Sequence, residues 1–338
     1  MNTGSLRHLG IVVLLHCLCG IGAAAAAPPS YTKRAEVRAF IADMVQRHGF
    51  VKRELEMLFS KTRHQSTVLK AIKPGAPGVR SWQAYRSRFI NAQRIQSGVE
   101  FWRLHAAELA RAEREFSVPA EIIVAIIGVE TVYGRNMGGF RVIDALATLA
   151  FDYPRRAEFF LGELEQFLLL ARESGRDVFS IKGSYAGAIG IPQFMPGSYR
   201  RHAVDFDGSG ETDLRGSPAD AIGSVANFLK AHGWEAGGIV AVAARVQGDG
   251  TRSLQEAGLK PSVRAADLGG LGVTPSLALP GDTLCALIPL ETPDQPDEYL
   301  VGLQNFWVIT RYNRSSFYAA SVLELANAVR GEQAIAAK

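Results

Sequence analysis

The segment Val118–Arg135, VPAEIIVAIIGVETVYGR, restricts this chain more than any other. Ile122–Val129 is apolar at every position, so a helix formed there has no polar face to turn to water. The run is also far shorter than the roughly 20 residues that a membrane-spanning helix needs. Such a helix is stable only inside a shell of other elements. The chain must therefore build a body around it.

The flanking patterns supply that shell, and they are mostly helical. Lys33–His48 reads as a helix closed by Gly49, and Pro74, Gly75, Pro77 and Gly78 mark a loop. Ser97 and Glu100 form a capping-box pattern ahead of Val99, Trp102, Ala106 and Leu109, which fall on one helical face. Ser117 is placed to cap the central helix, with Pro119 in its first turn. Further helices are expected over about Ala157–Ser174 and over Asp220–Ala231, the latter stopped near Gly233. After Trp234 the character changes. Ile239–Val246, Thr283–Leu290 and Tyr299–Thr310 are short β-branched runs between Gly, Pro and Asp clusters. The expected fold class is mainly α (α+β), with a small β-rich subdomain over about 238–300 and a return to helix near Ser315–Val329. Trp82, Trp102, Trp234 and Trp307 can stack on sugars, but tryptophans on helical faces usually belong to the core.

The first 27 residues read as a secretory signal peptide. Arg7 sits in the n-region, Leu9–Ile21 is apolar, and Ala23–Ala27 is a small-residue tract. Cys17 follows His16 and Cys19 follows Leu18, so neither has the small preceding residue that a lipidated cysteine requires. The expectation is an unlipidated periplasmic protein with no membrane span in its mature form. Removing the leader also removes Cys17 and Cys19, leaving Cys285 without an internal disulfide partner. Residues 28–335 then form one unit held by its core. The net charge of +4 drops to +3 when Arg7 is lost, too little to indicate nucleic acid. It suits an anionic polymer without identifying one. Nothing speaks against a monomer.

Glu130 follows directly on the apolar run. Apolar surroundings and the negative end of the helix dipole both disfavour its charged form. A carboxyl kept protonated near neutral pH is what a general acid requires. The plainer alternative is a structural glutamate paired with Arg135 or another arginine. A second segment, Lys182–Tyr199 (KGSYAGAIGIPQFMPGSY), carries glycines suited to tight turns and Gln193 in an otherwise apolar stretch. On its own it indicates a binding loop, or a core-satisfied glutamine.

Six segments, in order, resemble the family of membrane-bound lytic murein transglycosylase B and its soluble relatives. They are Tyr85-Arg86 with Phe89-Ile90, Gly128–Gly134, Phe151–Arg156 (FDYPRR), Gly183–Tyr199, Asp220–Trp234, and Thr310–Asn313 (TRYN). The resemblance extends over about 31–330. It implies a lysozyme-like helical catalytic domain, an additional helical region and a small β subdomain. It implies Glu130 as the catalytic residue, with Tyr85, Arg155, Arg156, Ser184, Gln193, Tyr312, Asn313 and Tyr318 as glycan contacts. The reaction it implies cleaves the bond between N-acetylmuramic acid and N-acetylglucosamine without water and leaves a 1,6-anhydromuramoyl end. Ordinary glycosidases need two carboxylates. Here the muramoyl C6 hydroxyl is the nucleophile, so one is enough. Asp152 is the rival second carboxylate, and its plainer reading is a helix cap or an ion pair with Arg155 or Arg156. Those two arginines are either surface charges or forked donors for lactyl or peptide carboxylates.

Asp205, Asp207, Ser209, Gly210, Glu211 and Asp213 follow the early spacing of a calcium loop, but Gly216 stands where its closing Glu belongs. The resemblance implies a longer loop closed by an Asp, here Asp220. No cofactor is implied for catalysis, and a calcium ion at Asp205, Asp207, Ser209, Glu211 and Asp220 would be structural. Three other functions fit parts of this reading. A muramidase would use water on the same bond, a peptidoglycan-binding scaffold would not need Glu130, and a chitinase-like enzyme would act on glycans lacking the lactyl group. Peptidoglycan strands are the expected partner. Proteins of cell-wall synthesis or division are compatible with it, though the sequence names none.

Overall fold

The structure is a computed structural model, and it describes residues 30–73, 81–248 and 251–336. The leader and the Pro74–Gly78 loop lie outside the described residues. A 3-10 turn at Tyr31–Lys33 leads into α1 (Ala35–His48), α2 (Lys52–Lys61), α3 (Ser66–Ile72), α4 (Trp82–Phe89), α5 (Ala92–Leu104), α6 (Ala106–Phe116) and α7 (Ala120–Thr131). Strand β1 (Phe140–Arg141), α8 (Val142–Asp152), α9 (Ala157–Glu173), β2 (Lys182–Gly183), α10 (Pro196–His202) and α11 (Pro218–Ala231) follow. The β-rich part holds β3 (Ala241–Val246), α12 (Arg252–Glu256), β4 (Val263–Arg264), β5 (Val273–Pro275), β6 (Leu284–Leu290) and β7 (Glu298–Gly302). The chain closes with α13 (Gln304–Tyr312) and α14 (Ser316–Ala336). The fold is mainly helical with one small β-rich subdomain, as expected, and β1 and β2 form a separate two-stranded antiparallel pair.

The central helix is α7. Every residue of Ile122–Val129 is buried, as its uniform apolarity requires. α5, α6, α11 and α14 pack around it. The sheet has strand order β4-β6-β7-β3-β5. The period of two along β6 explains how it joins the body. Cys285 and Leu287 point into a small separate core, while Ala286, Ile288 and Leu290 point into the main one. A strand buried on both faces reads as a continuous apolar run, which is how this one reads. Cys285 is free and buried.

Four local expectations are corrected. Ser97 is buried in the middle of α5, whose cap is Asn91, with Oδ1 accepting from the Arg94 N–H at 3.0 Å. A serine three residues before a glutamate carries the capping signature wherever it lies in a helix, so the pattern alone misplaces the start. The expected stripe Val99–Leu109 is broken at His105, and Ala106 is exposed. Ser117 does not cap α7. It ends α6 in the left-handed region at φ 60°, and Pro119 stands at the N-cap of α7 without a side-chain bond. Tyr299–Thr310 divides between β7 and α13.

Candidate active site

Glu130 is the penultimate residue of α7. Beyond it, Val132 (φ 52°) and Tyr133 (φ 58°) both occupy the left-handed region, turning the chain sharply away. Two contacts hold this strained end. The buried Thr131 hydroxyl donates to the Ile191 carbonyl at 2.8 Å and accepts from the Gly134 N–H at 2.9 Å, tying α7 to the 182–199 loop. The Tyr133 ring is wedged between α5 and α7. A Cβ on Gly98 or on Gly128 would lie 2.5 Å from its hydroxyl, so both positions require glycine.

Glu130 is half-buried by surface area, and protein packs closely around its carboxyl. Burial pushes its pKa from 4.5 up to about 7, offset in part by the hydrogen bond from Tyr318. The Tyr318 hydroxyl donates to Glu130 Oε1 at 2.7 Å. That leaves Oε2 as the oxygen to carry a proton. Tyr318 is fully buried on α14, with its ring stacked on Tyr312 at 6.4 Å and 14°. Burial raises the pKa of both phenols well above 10.0, and the nearby Glu130 charge adds to it, so both stay neutral donors. The Tyr312 hydroxyl donates to the Pro192 carbonyl at 2.5 Å, which fixes the chain beside Gln193. Tyr85, on α4, also feels the Glu130 charge, and it packs on Phe89 and Phe317.

The other expected contacts are placed as follows. Gln193 has φ 51° and donates from Nε2 to the carbonyls of Gly190 (2.9 Å) and Met137 (3.4 Å). Its backbone turn depends on Gly190, where φ is 78° and a Cβ would meet the Leu214 carbonyl at 2.4 Å. Ser184 Oγ accepts from the N–H groups of Ala186 and Ala188, shaping the turn after β2. Asn313 is exposed at the C-terminal end of α13. Arg155 and Arg156 are exposed on the turn between α8 and α9, where the Arg156 guanidinium lies 4.2 Å from the Phe159 ring centroid. Asp152 pairs with neither of them. It accepts from Arg34 Nη1 at 2.7 Å and from the Tyr31 hydroxyl at 3.3 Å. The geometry thus brings Glu130, Tyr85, Tyr312 and Tyr318 together. Thr131 and Tyr133 carry the end of α7, and sequence reading gave them no role. Only the invitation of two glycines at Gly98 and Gly128 hints at the wedge.

In the acidic loop, carboxylate oxygens of Asp205, Asp207 and Asp220 lie within 4.8 Å of one another. Asp220 is fully buried, and its Oδ1 accepts from the Phe206 N–H (2.8 Å) while Oδ2 accepts from the Asp213 N–H (2.7 Å). Ser209 Oγ donates to the Glu211 carbonyl at 3.0 Å, and the Glu211 carboxylate is outside the cluster. Hard oxygen donors at alternating positions fit a calcium ion, with Glu211 offering its main-chain oxygen.

The family model described as the transglycosylase SLT domain matches residues 32–327. Membrane-bound lytic murein transglycosylase B of Escherichia coli (strain K12) is 44% identical over 308 residues, covering 88% of this chain and 84% of that protein. The X-ray structure of catenated lytic transglycosylase SltB1 from Pseudomonas aeruginosa is 46% identical, with a TM-score of 0.83 over 90% of this chain and 99% of the other. The structure of Escherichia coli lytic transglycosylase Slt35 in complex with calcium is 42% identical, with a TM-score of 0.78 over 91% and 95% of the two chains. With a match of this extent to the family model, and relatives this similar along nearly their whole length, the chain belongs to the transglycosylase SLT domain family.

Proposed function

We propose that this chain is a peptidoglycan lytic transglycosylase in which Glu130 serves as both acid and base. The observation that carries this reading is the carboxyl at the end of α7, held protonated up to about pH 7 and bonded through Oε1 to Tyr318. Glu130 Oε2 gives its proton to the oxygen between N-acetylmuramic acid and N-acetylglucosamine. The muramoyl C1–O bond breaks, the electron pair stays with that oxygen, and the glucosamine-ended fragment leaves as an alcohol. The muramoyl C6 hydroxyl then bonds to C1, and Glu130, now a carboxylate, takes its proton. The acid is restored, no water is consumed, and the product ends in a 1,6-anhydromuramoyl group. The substrate acetamide stabilises the positive C1. A second carboxylate has no task in this sequence, and Asp152 is engaged by Arg34.

Tyr85, Arg155, Arg156, Ser184, Gln193, Tyr312, Asn313 and Tyr318 are the proposed glycan contacts. Tyr312 and Tyr318 act by orienting the carboxyl and the loop beside it. A calcium ion at Asp205, Asp207, Ser209, Asp220 and the Glu211 carbonyl would join the loop to α11. The acidic cluster and the calcium complex of the Slt35 relative support this. Such an ion would balance the charge of the loop and would enter no chemical step. Residues 28–335 form one catalytic unit, exported to the periplasm by the leader over residues 1–27. No helix among the described residues is long and apolar enough to cross a membrane.

The test is digestion of isolated peptidoglycan by the purified protein. Release of soluble muropeptides, reduced about a thousandfold in Glu130→Gln, supports the reading. Equal release by the variant sinks it.

A further inference from the structure

Five histidines lie among the described residues, and three of them have ordinary partners. His48 pairs with Glu165, His64 faces Asp152, and His105 packs on Phe101. His202 and His232 differ. Neither joins an ion pair among the described residues, and they meet each other, with ring centroids 5.1 Å apart at 55°. His202 ends α10, and His232 is the C-cap of α11. Several contacts fix this relation. Asn227 Nδ2, on α11, donates to the His202 carbonyl at 2.9 Å, and the Val204 N–H donates to Ser224 Oγ at 2.9 Å. Phe228 packs against both rings, edge-on to His202 at 5.2 Å and stacked on His232 at 4.1 Å.

The ring nitrogens are set up to bind an electrophile. His232 Nδ1 lies 2.7 Å from the Phe228 carbonyl, which can only accept, so Nδ1 carries the proton and the Nε2 lone pair stays free. A metal-bound histidine is oriented in the same way, by a bond from its other nitrogen to a carbonyl. Neither ring nitrogen of His202 has a hydrogen-bond partner among the described residues. Burial lowers its pKa, and His232 and Arg201 add to the shift, so the ring is neutral at pH 7. Neutral imidazoles suit zinc, copper or nickel and not calcium. The spacing fits as well. With metal–nitrogen bonds of about 2.0–2.1 Å and a tetrahedral angle, two imidazoles on one ion have centroids roughly 5 Å apart. We propose that His202 and His232 form a site for a divalent transition-metal ion, zinc above all, which staples the end of α10 to the end of α11. Both rings are half-buried, so water completes the coordination. The site is separate from the acidic loop, since the carboxylates converging there include neither histidine.

Zinc titrated calorimetrically into the purified, untagged mature protein tests this, near neutral pH and with calcium in large excess to occupy the acidic loop. The expected result is one zinc per chain, bound about tenfold or more weakly by His202→Gln and by His232→Gln and unchanged in His105→Gln. Because His232 packs on Phe228, its replacement can cost stability, so a second measurement uses the parent alone. Nitrogen-15 spectra of the imidazoles should show zinc moving Nε2 of His232 and one nitrogen of His202, while His48, His64 and His105 stay in place. No zinc uptake by the parent overturns the proposal. Uptake that His202→Gln leaves intact, or shifts confined to the other three histidines, overturns it too and leaves the pair as packing for Phe228.

Discussion

At the scale of single residues, Glu130 is governed by the cost of charging a carboxyl that protein encloses. Its pKa of about 7 makes it a working acid below that pH, so kcat should fall as pH rises through about 7. A pH–rate profile with no limb there would count against the assignment. The same shift has a consequence for stability. Between 4.5 and about 7 the folded chain holds a proton that the unfolded chain has lost, so stability falls as pH rises across that window. Glu130→Gln removes the charge and with it the penalty. Urea midpoints should show the variant gaining on the parent at about pH 8 and showing none of that gain at about pH 4. Tyr318→Phe removes the hydrogen bond that favours the carboxylate, so the alkaline limb should move to higher pH. A limb that moves down, or not at all, contradicts the pairing.

At the scale of elements, the end of α7 is held by a side chain that no motif singles out. Thr131→Val removes the bond to the Ile191 carbonyl and leaves the Gly134 N–H without its acceptor. The expected cost is about 1–3 kcal/mol, read as a lower urea midpoint at unchanged slope. The turnover number should fall by about tenfold or more, because a small displacement of Glu130 misplaces the proton. The sequence made α7 legible because eight adjoining apolar residues leave a helix nowhere but the interior. It made the β subdomain legible for a similar reason, since β6 is buried on both faces. The start of α5 was misread because a capping pattern looks the same inside a helix. Tyr299–Thr310 was misread because a short apolar run does not distinguish strand from helix.

At the scale of the molecule, the site depends on contacts between distant parts of the chain. Tyr318 and Glu130 are 188 residues apart in sequence, and no local pattern reveals that α14 returns to α7. Only the resemblance to a family named Tyr318 in advance, and it named it as a glycan contact. The direct bond to Glu130 is a result of the structure. The partner of Asp152 was hidden for the same reason, since Arg34 lies in the opening turn rather than in the adjoining Arg155–Arg156 pair. The acidic loop gives a prediction at this scale. Calcium at 100 times its dissociation constant should stabilise the folded chain by about 2.7 kcal/mol, seen as a rise in Tm. Asp205→Ala combined with Asp207→Ala should abolish that rise. A parent protein whose Tm ignores calcium would remove the ion from the account.

The central claim is that one protonated carboxyl and the substrate's own hydroxyl complete the reaction without water. It is tested most directly by digesting peptidoglycan in water enriched in oxygen-18 and weighing the muropeptides. The account predicts products lighter by one water than the hydrolytic ones, with no heavy oxygen, and none from Glu130→Gln. Hydrated products carrying the label at the new muramoyl end would contradict it and make the enzyme a muramidase.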